Sequence, residues 1–279
     1  MELHDLTAVQ QAQAIRSGEV SAVELTVHYL ARSHALSDTV GAFVEITDEV
    51  ALEQARDVDA AVARGEVDGL SPLAGVVVPV KDLHRFAGVR TRFGSAVVDT
   101  VPTFDDDVVA RLRAAATVMT GNTSAPEFGL PAYTESDVSP WSRSPWDLSR
   151  SAGGSSGGAA AAVASGLAPI AHGSDGGGSI RIPASACGLV GVKPTRGLVS
   201  NGPMPEGVAR LGVHGPLART VLDAATLLDV MADREVDPGF RHATGADPAR
   251  LRIGRYCEPV IADAALDPEC RAAYDEAGA

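Results

Sequence analysis

Lysine is nearly missing from this chain. Of its 23 basic residues only two, Lys81 and Lys193, are lysines, and arginine supplies the rest. Two lysines kept against that bias call for a reason, because a buried lysine can shed its proton and an arginine cannot. Positive charge is also scarce overall: 36 acidic residues leave a net charge of −13. That excludes the broad basic face that non-specific nucleic-acid binding needs. Cysteine is limited to Cys187, Cys257 and Cys270, with no CxxC pair. A disulfide framework and a cysteine-built zinc site are therefore not expected, and a reducing cytoplasm fits. The seven histidines show no HxH or HExxH spacing, so spacing supports no metal site. No apolar run reaches the length of a membrane span. The start, MELHDLTAVQQAQ, lacks the apolar stretch of a signal peptide.

What is present is a globular composition, 279 residues with 45% apolar content, enough for one large core or two modest ones. Residues 6–37 have helical periodicity broken at Ser17-Gly18, which predicts two short amphipathic helices. AFVEI (42–46) reads as a strand, and Asp48 opens a helix to about Arg64, with Gly65 as its stop. LAGVVVPVKDL (73–83) is a buried strand ending near Lys81. DDDVVARLRAAA (105–116) is a helix with acids in its first turn, and TVMTGN (117–122) a strand. Alternating strand and helix predicts a layered α/β fold. Residues 121–157, which hold both tryptophans, are long and irregular, and such segments in compact domains serve function or stay disordered. SPWDLSRSA within them makes a poor strand, whereas the alanines of 158–165 make a packable helix that Gly166 ends.

Two glycine-serine clusters stand out in RSAGGSSGGAAAAVASGLAPIAHGSDGGGSIRIPASACG (150–188). A flexible linker is a poor fit, because apolar stretches flank both clusters. A phosphate loop is a poor fit too, since neither GxxxxGK[ST] nor GxGxxG is present. Nucleophilic catalysis remains, in two forms. Gly154-Ser155-Ser156-Gly157-Gly158 matches the GxSxG nucleophile elbow and makes Ser156 the nucleophile of an α/β-hydrolase-type esterase, but an elbow needs a strand just before it. Alternatively, Gly176-Gly177-Gly178-Ser179 offers successive N–H groups, with glycines free to take positive φ, as a nest for an oxyanion. Ser179 is then the nucleophile. Lys81, neutralised by burial, is its candidate base, and a serine of the first cluster the relay.

These residues closely resemble the amidase signature family. The stretch GGSSGGAAAAVASGLAPIAHGSDGGGSIRIPASACGLVGVKPT carries the resemblance without a gap, and LAGVVVPVKD, TGNTSAPEFG and SPWDLSR resemble further family segments. The likeness extends over about residues 5–230, with the signature core at about 70–200. It implies a serine, cis-serine, lysine triad on Ser179, Ser155 and Lys81. Oxyanion donors fall on the backbone of Gly176, Gly177, Gly178 and Ser179. Ser156, Asp175 and Arg181 take loop-supporting roles, as do Asp82 and Glu127. Lys193 reads as a structural salt-bridge residue, His172 and His214 as packed or surface histidines, and Cys187 as core. Departures fall at Ala152, where proline is common, Ala159 for a common serine, Gly176 for a bulkier residue, and Asn122 for a common lysine. None touches the triad.

The fold implied is a three-layer α/β/α sandwich with a mixed central sheet, one domain over 1–279. The activity implied is hydrolysis of a linear carboxamide C–N bond through a covalent acyl-enzyme, on a small-molecule amide, with no metal or organic cofactor, no nucleic acid and no membrane. A homodimer is left open. The alternatives are the glutaminase subunit of a tRNA-dependent amidotransferase and an inactive fragment. Family members run well beyond this length, so a C-terminally shortened, marginally stable and weakly active chain is expected.

Overall fold

The computed structural model describes residues 2–203, 211–232, 239–257 and 265–278. They group into two compact units, Met1–Thr244 and Gly245–Ala279. Part of the expected family domain, 204–210, lies outside the described residues.

The first unit begins with two helices whose ends are written in the sequence. Thr7 and Ser21 accept the backbone N–H of Gln10 and Glu24, and those side chains reach back to the cap N–H groups. These capping boxes start α1 (Ala8–Ser17) and α2 (Ala22–Val40). Gly18 and Gly41 end them in the left-handed conformation, which glycine adopts without a Cβ clash. There follow β1 (Phe43–Ile46), α3 (Asp48–Ala63), β2 (Val80–Lys81), α4 (Asp107–Ala114) and β3 (Gly121–Thr123). A short hairpin of β4 (Arg143–Ser144) and β5 (Asp147–Ser151) precedes α5 (Gly157–Ala164). Then come β6 (Ile170–Asp175), α6 (Arg181–Cys187), β7 (Val190–Gly191), β8 (Val213–Ala218), α7 (Val221–Met231) and α8 (Phe240–Ala243). The second unit holds α9 (Pro268–Ala277), where Arg255 pairs with Asp275 and lies over the Tyr274 ring.

The strands form two three-stranded sheets, ordered β1-β3-β2 and β6-β8-β7. β2 runs parallel to β3, and the other pairings are antiparallel, so the arrangement is mixed. The His172 N–H donates to the Pro79 carbonyl at 3.1 Å, which brings the edges β2 and β6 together. Side chains alternate across this surface with the period of two that strands impose. Val76, Val78, Val80, Met119, Ile170 and Ala218 face a core built with α4 and α7. Val77 and Val118 face α2 and α3, while Ala171 and Leu217 face α5 and α6. Helices thus cover both faces, which is the expected sandwich.

Three local expectations change. The 73–83 run pairs regularly only at Val80–Lys81, with an isolated parallel bridge at Val77–Val118, because the register against the neighbouring strand shifts by one residue between Val77–Val118 and Val80–Asn122. The following strand sits at Gly121–Thr123 rather than 117–122. SPWDLSRSA does contain a strand, β5, but it belongs to the exposed hairpin and not to the central sheets.

The alanine-rich α5 is buried on all sides, with every residue from Gly157 to Val163 inside. Its start lies directly against backbone: a Cβ on Gly158 would sit 2.5 Å from the Ala42 oxygen and 2.7 Å from the Ser124 oxygen. Gly158→Ala is therefore expected to cost at least about 1–3 kcal/mol, as overpacking does. Urea unfolding of the two proteins measures this, and an unchanged midpoint would show that α5 does not depend on that close approach.

Candidate active site

β6 leaves the sheet at Asp175 and runs straight into the Gly176–Ser179 turn, so the strand itself positions the second cluster. Asp175 organises that turn. Its carboxylate accepts the N–H of Gly178 at 2.7 Å and of Ile180 at 3.2 Å, and takes both Nε and Nη2 of Arg181 at 3.0 Å. Burial alone would raise its pKa, but the Arg181 fork and the two amides outweigh that and bring it down to about 2. Gly178 has φ +122°, and a Cβ there would meet Ile182 at 2.7 Å. Gly176 and Gly177 do not take positive φ, so only one of the three glycines uses the conformation expected of all. The Gly178 N–H is also committed to Asp175, which removes it from the expected set of oxyanion donors. The N–H groups of Gly176, Gly177 and Ser179 are not drawn to that carboxylate.

The first cluster lies alongside. The Gly154–Ser155 peptide is cis. Lys81 Nζ donates to Ser155 Oγ at 2.8 Å and to the Ser174 carbonyl at 3.2 Å. Lys81 is fully buried, and this desolvation pulls its pKa down to about 7 against a smaller opposing pull from Asp175. The lysine sits where β2 turns: Leu83 N–H and His84 N–H both return to its carbonyl. Ser155, Ser174, Gly176, Gly177 and Ser179 line one cavity of about 360 Å³, whose other walls include Leu83, Phe128, Leu130, Pro131 and Ile182. Gly129 takes φ +69° there, and a Cβ would meet Leu83 Cδ1 at 2.5 Å and press on Ser155 Oγ at 3.3 Å.

Ser156 is placed differently. It is fully buried, its Oγ donates to the Ser174 carbonyl at 3.3 Å, and its N–H donates to the Ser179 carbonyl at 3.1 Å. It ties the two clusters together and does not line the cavity. Arg181 pairs with Asp175 as a brace. Asp82 accepts the N–H of Arg92 and Gly94, with its pKa raised to about 6 by burial against those bonds, and Glu127 accepts from Ser95 Oγ at 2.7 Å. Asn122 donates to the Arg90 carbonyl. Cys187 is buried, and burial pushes its thiol up to about 11. Among the described residues no carboxylate pairs with Lys193, which was expected in a salt bridge; its Nζ donates to the Pro194 carbonyl at 2.7 Å.

Sequence reasoning missed two contributors. Thr134 accepts the Gly157 N–H and donates to the Gly153 carbonyl, clamping the first cluster from the irregular segment. Nothing in its spacing marks it. The second is a group of three imidazoles. His84 and His214 lie against His172, with ring centroids 4.5–5.2 Å apart, although no two are near in sequence. His172 and His214 are packed residues as expected, but His172 also accepts the Lys81 backbone N–H at Nδ1, 3.3 Å away. Among the described residues no helix is long and apolar enough to cross a membrane.

A family model described as Amidase matches residues 24–279. The chain belongs to the amidase signature family. It is 45% identical over 248 residues to the A subunit of the glutamyl-tRNA(Gln) amidotransferase of Carboxydothermus hydrogenoformans, covering 88% of this chain and 50% of that protein. The solved structure of 6-aminohexanoate cyclic dimer hydrolase matches with a TM-score of 0.86 at 36% identity, over 99% of this chain and 58% of that one. The peptide amidase from Stenotrophomonas maltophilia matches with a TM-score of 0.76 at 33% identity, over 88% and 51%. The chain spans about half the length of the curated relatives it matches.

Because the pKa of Asp175 is depressed in the folded protein, its bonds stabilise the fold above the unfolded pKa of 3.8 and are lost as pH falls toward about 2. Half-exposed Arg181 is screened by water, so the contribution is about 1–2 kcal/mol. Asp175→Asn should be less stable than the parent at pH 7, with the gap narrowing between pH 4 and 2. A gap that stays constant in denaturant titrations across that range would contradict the role given to the carboxylate.

Proposed function

We propose that the chain carries the chemistry of an amidase: hydrolysis of the C–N bond of a linear carboxamide by Ser179, Ser155 and Lys81. The observation that carries this reading is the 2.8 Å contact between a fully buried lysine amine and Ser155 Oγ, at the edge of the cavity that Ser179 lines.

Neutral Lys81 has one lone pair and two N–H bonds. One N–H is held by the Ser174 carbonyl, which leaves the lone pair to take the Ser155 proton. Ser155 in turn takes the proton of Ser179 as Ser179 Oγ attacks the amide carbon. The N–H groups of Gly176, Gly177 and Ser179 receive the developing oxyanion, and this is where such a site gains most of its rate. The proton then returns through Ser155 to the leaving nitrogen, the C–N bond breaks, and the acyl group stays on Ser179. Water attacks that ester by the same relay and frees the acid. The chemistry uses protein groups alone. The apolar wall of Leu83, Phe128, Leu130, Pro131 and Ile182 favours an apolar acyl group. A cytoplasmic setting is part of the reading, supported by three unpaired thiols.

The likeness to the amidotransferase protein favours one second reading, release of ammonia from glutamine within a larger assembly. Ammonia release over a panel of simple amides with glutamine included separates the two: activity confined to glutamine would select the second.

The serine assignment is tested by a fluorophosphonate probe. Labelling should map to Ser179 and vanish in Ser179→Ala, and an adduct on Ser156 would instead support the elbow. With its pKa at about 7, Lys81 gains its reactive neutral form as pH rises, so labelling should climb through about pH 7 and level off above it. Lys81→Ala should slow it by about 10²–10⁴-fold and remove that rise. A pH profile unchanged in the variant would sink the base assignment.

A further inference from the structure

His84, His172 and His214 come from the turn after β2, from β6 and from β8. Each can offer one ring nitrogen such that all three lie within 4.8 Å of one another. Nitrogens bound to one zinc ion at about 2.0–2.1 Å stand about 3.3 Å apart in a tetrahedral site, so the cluster is within about 1.5 Å of that spacing. His172 Nε2 and His214 Nδ1 are already 3.0 Å apart.

A hydrogen bond fixes the His172 tautomer, and the surroundings of His84 leave one of its ring nitrogens open. His84 Nδ1 faces Asp106 Oδ2 at 3.6 Å, and its Nε2 is buried with no partner. A carboxylate behind one ring nitrogen and an unsatisfied lone pair on the other is how metal-binding histidines are oriented. His172 Nδ1 accepts from Lys81, so its proton resides on Nε2 and is given to His214 Nδ1. The His84 side chain is 14% exposed, which gives the cluster a route from solvent.

We propose that these three histidines form a binding site for a borderline divalent transition-metal ion, and that filling it releases the backbone of Lys81. Three imidazoles suit zinc, copper or nickel, and they offer none of the oxygen ligands that magnesium and calcium require. To ligate through Nε2, His172 must move its single proton to Nδ1. No proton is gained or lost, but Nδ1 can then no longer accept the Lys81 N–H. That bond is also the place where an imidazole stands in for a strand carbonyl between β2 and β6. The lysine would lose its anchor on that side, so the metal is an inhibitor. This second half rests on the assignment of Lys81 as the base.

The test uses the metal-free chain and Zn²⁺. Calorimetric titration should show one ion per chain, bound at least about tenfold more weakly by His84→Gln, in line with the loss on removing even an outer partner of a metal ligand. His214→Gln, checked for folding by circular dichroism, should behave alike, and Co²⁺ should give visible bands that both variants lack. Saturating Zn²⁺ should slow probe labelling of Ser179 at least about tenfold in the parent and not in His84→Gln, with a chelator restoring the rate. No binding, or equal binding by the parent and His84→Gln, overturns the site. Binding at the histidines with an unchanged labelling rate overturns the coupling to Lys81. Failure of metal-free protein to label at all would count against the Ser179 reading, while the titration would still decide the site.

Discussion

A single lysine amine held out of water is the constraint on which the site depends. Lys81 is fully buried, yet its contacts are two neutral oxygens, Ser155 Oγ and the Ser174 carbonyl. Holding its pKa near 7 rather than 10.5 costs on the order of 4 kcal/mol at neutral pH relative to an exposed lysine. Between those two values the unfolded chain binds a proton that the folded chain does not, so folding stability rises with pH across that range. The surrounding structure has to supply what the lysine takes away. It does so with the apolar core on the opposite face of the sheet, where Val76, Val78, Val80, Met119, Ile170 and Ala218 pack together.

Burial alone would not keep the lysine neutral if a free carboxylate lay beside it. Among the described residues, Asp175 is the acid whose field reaches Lys81 and opposes the shift. Its charge is already taken up by the Arg181 fork and by two backbone amides. The same bonds that shape the turn before Ser179 therefore also draw the aspartate's charge away from the lysine. A bracing residue and a tuning residue turn out to be one group.

The elements with strong local signals were legible. The break at Ser17-Gly18 and the Asp48 start and Gly65 stop of α3 are reproduced within a residue or two, while α2 runs on to Val40, past the expected 37. The unbroken signature likewise marked the two clusters and Lys81. What was not legible depends on contacts distant in the chain. β2 is short because its register against β3 shifts by one residue between Val77–Val118 and Val80–Asn122, which the run itself does not mark. Gly178 turns its N–H to Asp175 and not toward the cavity, a choice that three identical glycines in a row do not reveal. Thr134 and the histidine group are brought into place by strand pairing, so no spacing rule applied along the chain finds them. His84, His172 and His214 look scattered only because β6 and β8 are paired in space across 42 residues of sequence.

The shortage of lysine now has a physical reading. Where this chain needs a fixed cation it uses the arginine fork: Arg181 takes both oxygens of Asp175, Arg113 both of Asp105 and Arg64 both of Glu66. A planar guanidinium matches a carboxylate in two bonds and never gives up its charge. Those qualities would be a fault at position 81, where a permanently charged group buried beside neutral oxygens would need a counter-ion and, in the proposed mechanism, could not accept a proton. Lys193 offers the contrast, an amine that is not fully buried and rests on a neighbouring carbonyl. The chemistry of position 81 thus follows from what burial does to an amine and cannot do to a guanidinium, and the sheet supplies that burial.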